Sequence, residues 1–283
     1  MRTLAEFIMR GRAQAVAVSV LSVGTVFFAW IGAAAIALVT LRKGASQGGY
    51  VLIWALLPAA VIALGASDLG PITAIVGVYL GASCLRATGS WPVALAVISV
   101  AGLGLAVLMN TVAVAQTQQI ADLLSQVITQ MRSQNPELAL QAMSVADVAG
   151  LIGVINAYTV ALSLLLGRWW QAQLYQPGGL RSEFHAMRLD RALVVALVVG
   201  MLLLGASESW RNWMLVLQMP LTFAGIGLVH AIVDRYRLAQ SWLVVFYVLW
   251  VFLMPLRWLV QMLAVIDSFI DVRKRLPAPK VGE

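Results

Sequence analysis

The sequence predicts an all-α, polytopic integral membrane protein of about eight to ten helical segments, forming a single domain over residues 1–283. First, 61% of the residues are hydrophobic and only 11% are charged, whereas a soluble domain carries about 25% charged residues. Second, several long stretches lack any charge, and about 20 apolar residues span a bilayer core as a helix. Third, these stretches are continuously apolar instead of alternating with a period of two, which favours helices over strands. The charge-free stretches are residues 13–41, 44–67, 87–121, 148–167 and 212–233.

The middle of the chain divides into clear apolar segments, whereas its two ends are ambiguous. The clear segments are residues 49–66, 71–87, 91–115, 147–168, 189–206 and 212–234. Residues 13–41 and 241–271 are each too long for one pass and too short for two full passes, and Pro255 lies near the middle of the second. We therefore expect each end to form a hairpin, either fully crossing or re-entrant. A re-entrant hairpin needs protein or water around its backbone and so implies an internal cavity.

The distribution of basic residues favours this hairpin arrangement. If both ends turn back, 16 of the 19 Lys and Arg residues lie on one side of the membrane. If both ends cross once, the basic residues divide 9 against 10. The positive-inside rule then places both termini in the cytoplasm of a bacterial inner membrane, with Arg132, Arg211 and Arg257 outside. The basic N-terminus followed by an apolar run is interpreted as an uncleaved first segment, because the run is too long for a signal peptide.

Two longer connections complete the predicted organisation. Residues 116–146 form an outer amphipathic excursion with an apolar stripe at Ile120, Leu124, Val127 and Met131. This excursion either rests on the outer membrane interface as a hairpin or covers an outward-facing pocket. Residues 169–190 form an inner basic loop.

Polar residues inside apolar segments are the candidate site residues, since a charge in hydrocarbon is costly and faces protein or water. Asn110 and Asn156 are predicted near the outer ends of their helices, where each either bonds between helices or lines a pocket. Arg257 follows Pro255 and is either interfacial or, if deeper, paired with an anion. Together these three form the candidate pocket.

A second group of candidates lies at the C-terminus. Asp267 and Asp271 are one helical turn apart, and Arg273 follows them. They form either a solvated, salt-bridged helix end or a docking site for a cytoplasmic or membrane protein partner.

The run Val265 to Lys274 and the segment Gly225 to Ala231 resemble the YybS-like family of bacterial polytopic membrane proteins. That family is distantly similar to the substrate-capturing S components of energy-coupling-factor transporters. The resemblance implies a pocket near the outer face and an energising partner inside. The chain departs from an S component in having more than six apolar segments, and only Ala33, Ala34 and Ala35 are candidates for the small-residue motif that docks a coupling subunit.

The expected function is therefore a substrate-binding or transport-associated membrane subunit without its own ATPase; the alternative is a non-transporting scaffold that binds cytoplasmic partners. No phosphate-binding glycine loop precedes any of the three lysines, so ATP hydrolysis by that route is not expected. The two histidines lie 45 residues apart without a neighbouring cysteine, so we predict no zinc site, no cofactor and no enzymatic activity. The net charge of +7 is attributed to topology and anionic lipids, not to nucleic acid.

Overall fold

The computed structural model describes residues 1–135 and 141–275, and over these ranges the ordered elements are helices. Helices α1 to α7 span Arg2–Arg10, Arg12–Gly24, Ala29–Lys43, Ala45–Ala66, Gly70–Thr88, Trp91–Thr111 and Val114–Gln134. Helices α8 to α10 span Val145–Tyr175, Gly179–Ala186 and Arg191–Gly205, and a 3-10 helix spans Glu208–Trp213. Helices α11 to α14 span Met214–Arg235, Ser241–Phe252, Met254–Ile270 and Val272–Arg275.

The chain is a multi-pass α-helical membrane protein, as predicted. Within residues 1–135 and 141–275, five helices are long and apolar enough to cross a membrane: α4, α5, α6, α8 and the continuous unit Glu208–Arg235. The α12–α13 pair passes the same test when it is taken together. The six apolar segments that the sequence predicts coincide with α4, α5, α6, α8, α10 and α11, with differences of a few residues at their ends.

The N-terminal apolar stretch is a helical hairpin. Helices α2 and α3 are separated by residues 25–28, and the Lys43 ammonium lies 3.5 Å from the Met9 carbonyl oxygen, so the end of α3 returns to the start of α2. Their 13 and 15 residues correspond to roughly 20 Å each, less than the bilayer core of about 30 Å. Residues 32–41 of α3 are all buried. The α3 half of the hairpin is therefore enclosed by the other helices, whereas only Ala15, Ser19 and Val23 of α2 are buried.

The C-terminal stretch is also bent back, but it is packed less tightly. Helices α12 and α13 meet at an angle of 113° at Leu253, and Pro255 occupies the first turn of α13, where its missing N–H costs nothing. α13 packs along α11, where Gly225 lies against the backbone of Val260. In contrast, α12 has no buried side chain.

Helix α8 is the centre of the bundle. It crosses α6 where Gly102 and Gly153 face each other, and it crosses α3 where Gly167 faces Ala34 and Ala37. A Cβ atom at Gly153 would lie 2.7 Å from the carbonyl oxygen of Gly102, so only glycine permits this approach. The sequence predicts the start of an inner loop at residue 169, but α8 continues to Tyr175 because Trp170 is fully buried and extends the packed core.

Basic side chains collect at one end of the bundle, which we call the basic face. This face carries α1, the α3–α4 and α5–α6 connections, α9 and α14. Its ion pairs and charge-assisted hydrogen bonds join distant parts of the chain: Arg86 to Leu41, Arg168 to Glu183, Arg181 to Asp234, Arg188 to Asp271 and Arg191 to Phe269. The opposite face carries the α2–α3 turn, the start of α8 and the 3-10 helix. The 3-10 helix is joined to the start of α8 by hydrogen bonds from Asn212 to Asp147 and from Trp213 to Ala146.

Helix α7 lies on the opposite face and is the amphipathic part of the predicted excursion. Only Thr117 and Ala121 of α7 are buried. The predicted apolar stripe at Ile120, Leu124, Val127 and Met131 is not covered by other parts of the described chain. Residues 136–140 of the predicted excursion lie outside the described residues, and α8 begins at Val145 with a capping box between Ser144 and Asp147.

Candidate functional site

A cavity of about 300 Å³ opens on the opposite face, beside the tip of the N-terminal hairpin. Val26, Ala29 and Trp30 from the hairpin form one wall. The start of α5 and the first half of α8 form the other walls. The remaining lining residues are Asp68, Gly70, Pro71, Ala74, Leu105, Ile152, Ile155, Asn156 and Thr159.

Asp68 and Asn156 are, with Thr159, polar side chains of the cavity wall. Asn156 is 7% exposed, and its Nδ2 donates a hydrogen bond of 2.9 Å to Thr73 Oγ1 on α5. Asp68 Oδ1 accepts a hydrogen bond of 2.8 Å from the amide of Gly70, the first residue of α5. These bonds hold the amide oxygen of Asn156 and the second carboxylate oxygen of Asp68 beside the cavity as acceptors. Asp68 is the only charged residue in the lining described above.

The structure does not bring the three predicted pocket residues together. Asn156 lines the cavity, but Asn110 and Arg257 are not part of its wall. Asn110 is half-buried one residue before the end of α6.

Arg257 has a structural position at the α12–α13 junction. Its guanidinium donates to the carbonyl oxygens of Trp250 and Val251 and lies 5.7 Å from the centre of the Trp250 ring. These are the last carbonyls of α12, which lack partners within that helix. Arg257 therefore caps the end of α12, and its depth relative to the membrane interface stays a prediction.

Helix α7 contributes no residue to the cavity described above. The arrangement therefore favours the interpretation of the 116–146 excursion as an interfacial element over its interpretation as a lid.

The C-terminal candidate residues, Asp267, Asp271 and Arg273, contact one another and residues 187–188, which precede α10. Asp267 is 2% exposed and lies 3.5 Å from the Arg273 guanidinium, which also donates to the Met187 carbonyl oxygen. Asp271 pairs with Arg188 and with Lys274. These side chains fasten α14 to residues 187–188. Whether the same group also docks a partner stays a prediction.

Ala33, Ala34 and Ala35 are not a docking surface for another subunit. All three are 0% exposed, because α3 lies between α5 and α8 in the centre of the bundle. Their small side chains instead allow α8 to approach α3 at Gly167.

A second polar site lies on the basic face, and residue spacing predicts only one part of it. His185 on α9 and His230 on α11 are 45 residues apart in the chain, but their ring centres lie 6.3 Å apart. Asp234 pairs with Arg181 and lies 3.4 Å from His185, and the His230 ring bonds to the Tyr247 hydroxyl at 2.8 Å. We call these five residues the histidine cluster. The spacing of His230 and Asp234 predicts a shared helix face, but the α9 contribution has no local signal.

The histidine cluster is suited to binding anions rather than metal. Within residues 1–135 and 141–275 no three His, Cys, Asp or Glu side chains are arranged to hold a metal ion. Burial lowers the pKa of His185 below its ordinary value of 6.5, although the nearby Asp234 carboxylate opposes this, so the His185 ring is neutral at neutral pH. The His185 Nδ1 faces the Asp234 carboxylate, and the Arg181 guanidinium has further N–H donors beyond the one that bonds to Asp234.

Comparison with known proteins found no matching family model, no matching curated protein and no matching solved structure.

Proposed function

We propose that this protein is a substrate-binding, transport-associated subunit of a bacterial inner membrane that captures a small molecule in the opposite-face cavity and relies on a partner for energy. The observation that supports this proposal is the cavity itself. It lies beside the tip of the N-terminal hairpin, and such a cavity is what distinguishes a substrate-binding subunit from a solid scaffold. Its volume of about 300 Å³ is at the lower end of the range for small-ligand sites.

The orientation follows from charge. Since Arg and Lys are retained on the cytoplasmic side, the basic face is proposed to be cytoplasmic and the cavity to open outward. In a Cys84→Ser background, a membrane-impermeant maleimide added to intact cells should label Ser133→Cys on α7. It should label Lys274→Cys on α14 only after permeabilisation. Labelling of Lys274→Cys in intact cells would reverse the orientation.

The lining indicates the chemical class of the substrate. Most of the wall is apolar, with Trp30 and Leu105 among its larger side chains. Its polar side chains include the Thr159 hydroxyl and the acceptors of Asp68 and Asn156, and Asp68 is the charged one among the lining residues. A carboxylate in an apolar pocket favours a cation, and a charge-assisted hydrogen bond contributes about 1.5–3 kcal/mol. The preferred substrate is therefore a small, largely apolar molecule that carries an amine.

This chemistry predicts discrimination between an amine and its neutral analogue. Phenethylamine should raise the unfolding temperature of the purified protein in neutral detergent, whereas 2-phenylethanol should bind about tenfold more weakly. Asp68→Asn should remove this preference, because the neutral amide no longer pairs with the ammonium. Asp122→Asn, which changes an exposed carboxylate of α7 outside the cavity, is the matched control.

Two results would contradict the proposal. Equal binding of the amine and the alcohol to the unmodified protein would mean that Asp68 does not take part in recognition. Mass spectrometry of the same mild-detergent preparation should also detect ATPase subunits, and recovery of non-ATPase partners alone would argue against a role in transport.

The scaffold alternative has less support from the arrangement of the side chains. It depends on Asp267, Asp271 and Arg273, and these residues engage one another and residues 187–188. The cavity, in contrast, holds acceptor groups that face an open space.

A further inference from the structure

Helices α8, α9, α11 and α12 enclose two adjoining cavities on the basic face, independent of the site proposed for substrate. Their volumes are about 370 Å³ and 690 Å³, and they share four wall residues of the histidine cluster: Arg181, His185, His230 and Tyr247. The fifth, Asp234, lines the larger cavity. The two cavities therefore form one continuous space around the cluster.

The walls of this space differ in polarity from one end to the other. The smaller cavity is bordered by Leu165, Trp169, Ala172, Leu180 and Phe184, which form an apolar arm between α8 and α9. The larger cavity is bordered by charged groups. These are Arg181, Asp234 and Arg237, together with both histidines. Two arginines face a single carboxylate, so the polar end attracts an anion, and the apolar arm accepts hydrocarbon.

The depth of the site matches the headgroup level of a bilayer. His230 lies five residues before the end of α11, and Trp169 lies in the last two turns of α8. Tryptophan and arginine at helix ends are typical of the interface between hydrocarbon and water. A ligand that enters this space from the membrane would place its charged group beside Arg181 and Arg237 and its chain along Trp169.

The packing of α12 independently indicates that something fills this space. No side chain of α12 is buried, and Tyr247 reaches His230 across the cavity through a single hydrogen bond. Leu243, Val244 and Tyr247 of α12 border the larger cavity. An amphipathic molecule between α12 and α9 would cover these side chains and complete the contact of α12 with the bundle.

We propose that this space binds one anionic phospholipid from the leaflet at the basic face. Its phosphate is held by Arg181 and Arg237, and one acyl chain lies along Leu165 and Trp169. Basic pockets between transmembrane helices on the cytoplasmic side are suited to such headgroups. The lipid would be structural, joining α12 to α8 and α9.

The test compares lipids that differ only in headgroup charge. Delipidated protein in neutral detergent is titrated with phosphatidylglycerol or with phosphatidylcholine of the same chains, and binding is followed by native mass spectrometry and thermal unfolding. We expect phosphatidylglycerol to bind about tenfold more tightly and to raise the unfolding temperature. Inorganic phosphate alone should give no stabilisation at millimolar concentration. Equal stabilisation by phosphate would show a site for a soluble anion and overturn the lipid assignment.

Variants with matched charge locate the site. Arg181→Gln combined with Arg237→Gln should weaken phosphatidylglycerol binding about tenfold or more, since both guanidinium groups border the cavity. Arg2→Gln combined with Arg10→Gln removes the same charge from exposed positions of α1 on the same face and should leave binding unchanged. Both pairs are at the surface, so both variants should fold, as a symmetric size-exclusion peak would verify. An equal loss in the two double variants, or equal binding of the two lipids, would overturn the proposal.

Discussion

Substitution of Gly102 by leucine is expected to abolish the tight crossing of α6 and α8 and to lower the free energy of unfolding by about 3 kcal/mol or more. A Cβ atom at residue 102 would lie 2.9 Å from Ala157 Cβ, 3.1 Å from the Gly153 carbonyl oxygen and 3.1 Å from Val216 Cγ1. These atoms belong to two other helices, and one of them is backbone, so no single side-chain rotation can make room. The better helix propensity of leucine offsets only about 1 kcal/mol.

Gly104, two residues after Gly102 on the same helix, is the matched control. A Cβ atom at that position would have nothing within 4 Å. Gly104→Leu should therefore leave the unfolding temperature unchanged or slightly raised, because the added side chain meets no other helix. The measurement is size-exclusion chromatography of the two variants in detergent after heating to a series of temperatures. If both variants lose the same stability, α6 needs glycine for a reason other than its contact with α8.

Removal of the Arg168 guanidinium should have the second largest effect. The Arg168 side chain is 7% exposed and donates through Nε and Nη2 to the Glu183 carboxylate, which also accepts a 3.1 Å bond from the Trp91 indole. Arg168→Leu would leave that carboxylate with the indole as its remaining partner in a largely apolar setting. Breaking a buried pair from one side costs about 3–5 kcal/mol. Because the Glu183 side chain is 35% exposed, we expect the lower value, about 3 kcal/mol.

The same change should release α9 from the bundle before the rest of the protein unfolds. Limited proteolysis in detergent is expected to cut the Arg168→Leu variant between residues 176 and 187 under conditions that leave the unmodified protein intact. Adding Glu183→Leu to the Arg168→Leu variant should restore much of the lost stability, since it removes the unpaired carboxylate. Arg181→Gln is the control on the same helix, because the Arg181–Asp234 pair is 67% and 46% exposed and should contribute below about 1 kcal/mol. Equal loss in the two arginine variants would mean that burial of the Arg168 pair is unimportant.

Several local features could be predicted from residue patterns because their causes lie within a few residues. Ser90 caps α6, with Pro92 in its first turn, and Asp68 bonds to the first amide of α5, as short-range capping chemistry requires. The hairpin at residues 13–41 could be predicted because its length disagrees with the bilayer thickness and because the distribution of charge requires an even number of passes. Asn156 could be proposed as a pocket residue because an amide in an apolar helix needs a partner.

The remaining features depended on which helices become neighbours. Nothing in the pattern separates Gly102 from the rest of the 23 glycines until α8 lies across it. The histidine cluster forms because Arg168 and Glu183 help to hold α9 against the bundle, which brings His185 to His230. Arg257 was placed near the predicted pocket, but the bend at Leu253 aims it at the last carbonyls of α12.

Hydropathy and the positions of the basic residues were enough to establish the membrane class, the apolar segments and the turning back of both ends, since lipid excludes charge wherever it occurs along a chain. The cavity beside Trp30, the anion-attracting space around His185 and the close crossings of α8 arose from packing. They join residues far apart in the chain, as in the bond from Gln171 to Leu41, which are 130 positions apart. The hydrocarbon core of the bilayer acts on each segment separately, whereas a cavity or a helix crossing exists only between segments. Composition therefore could not reveal the cavities or the crossings.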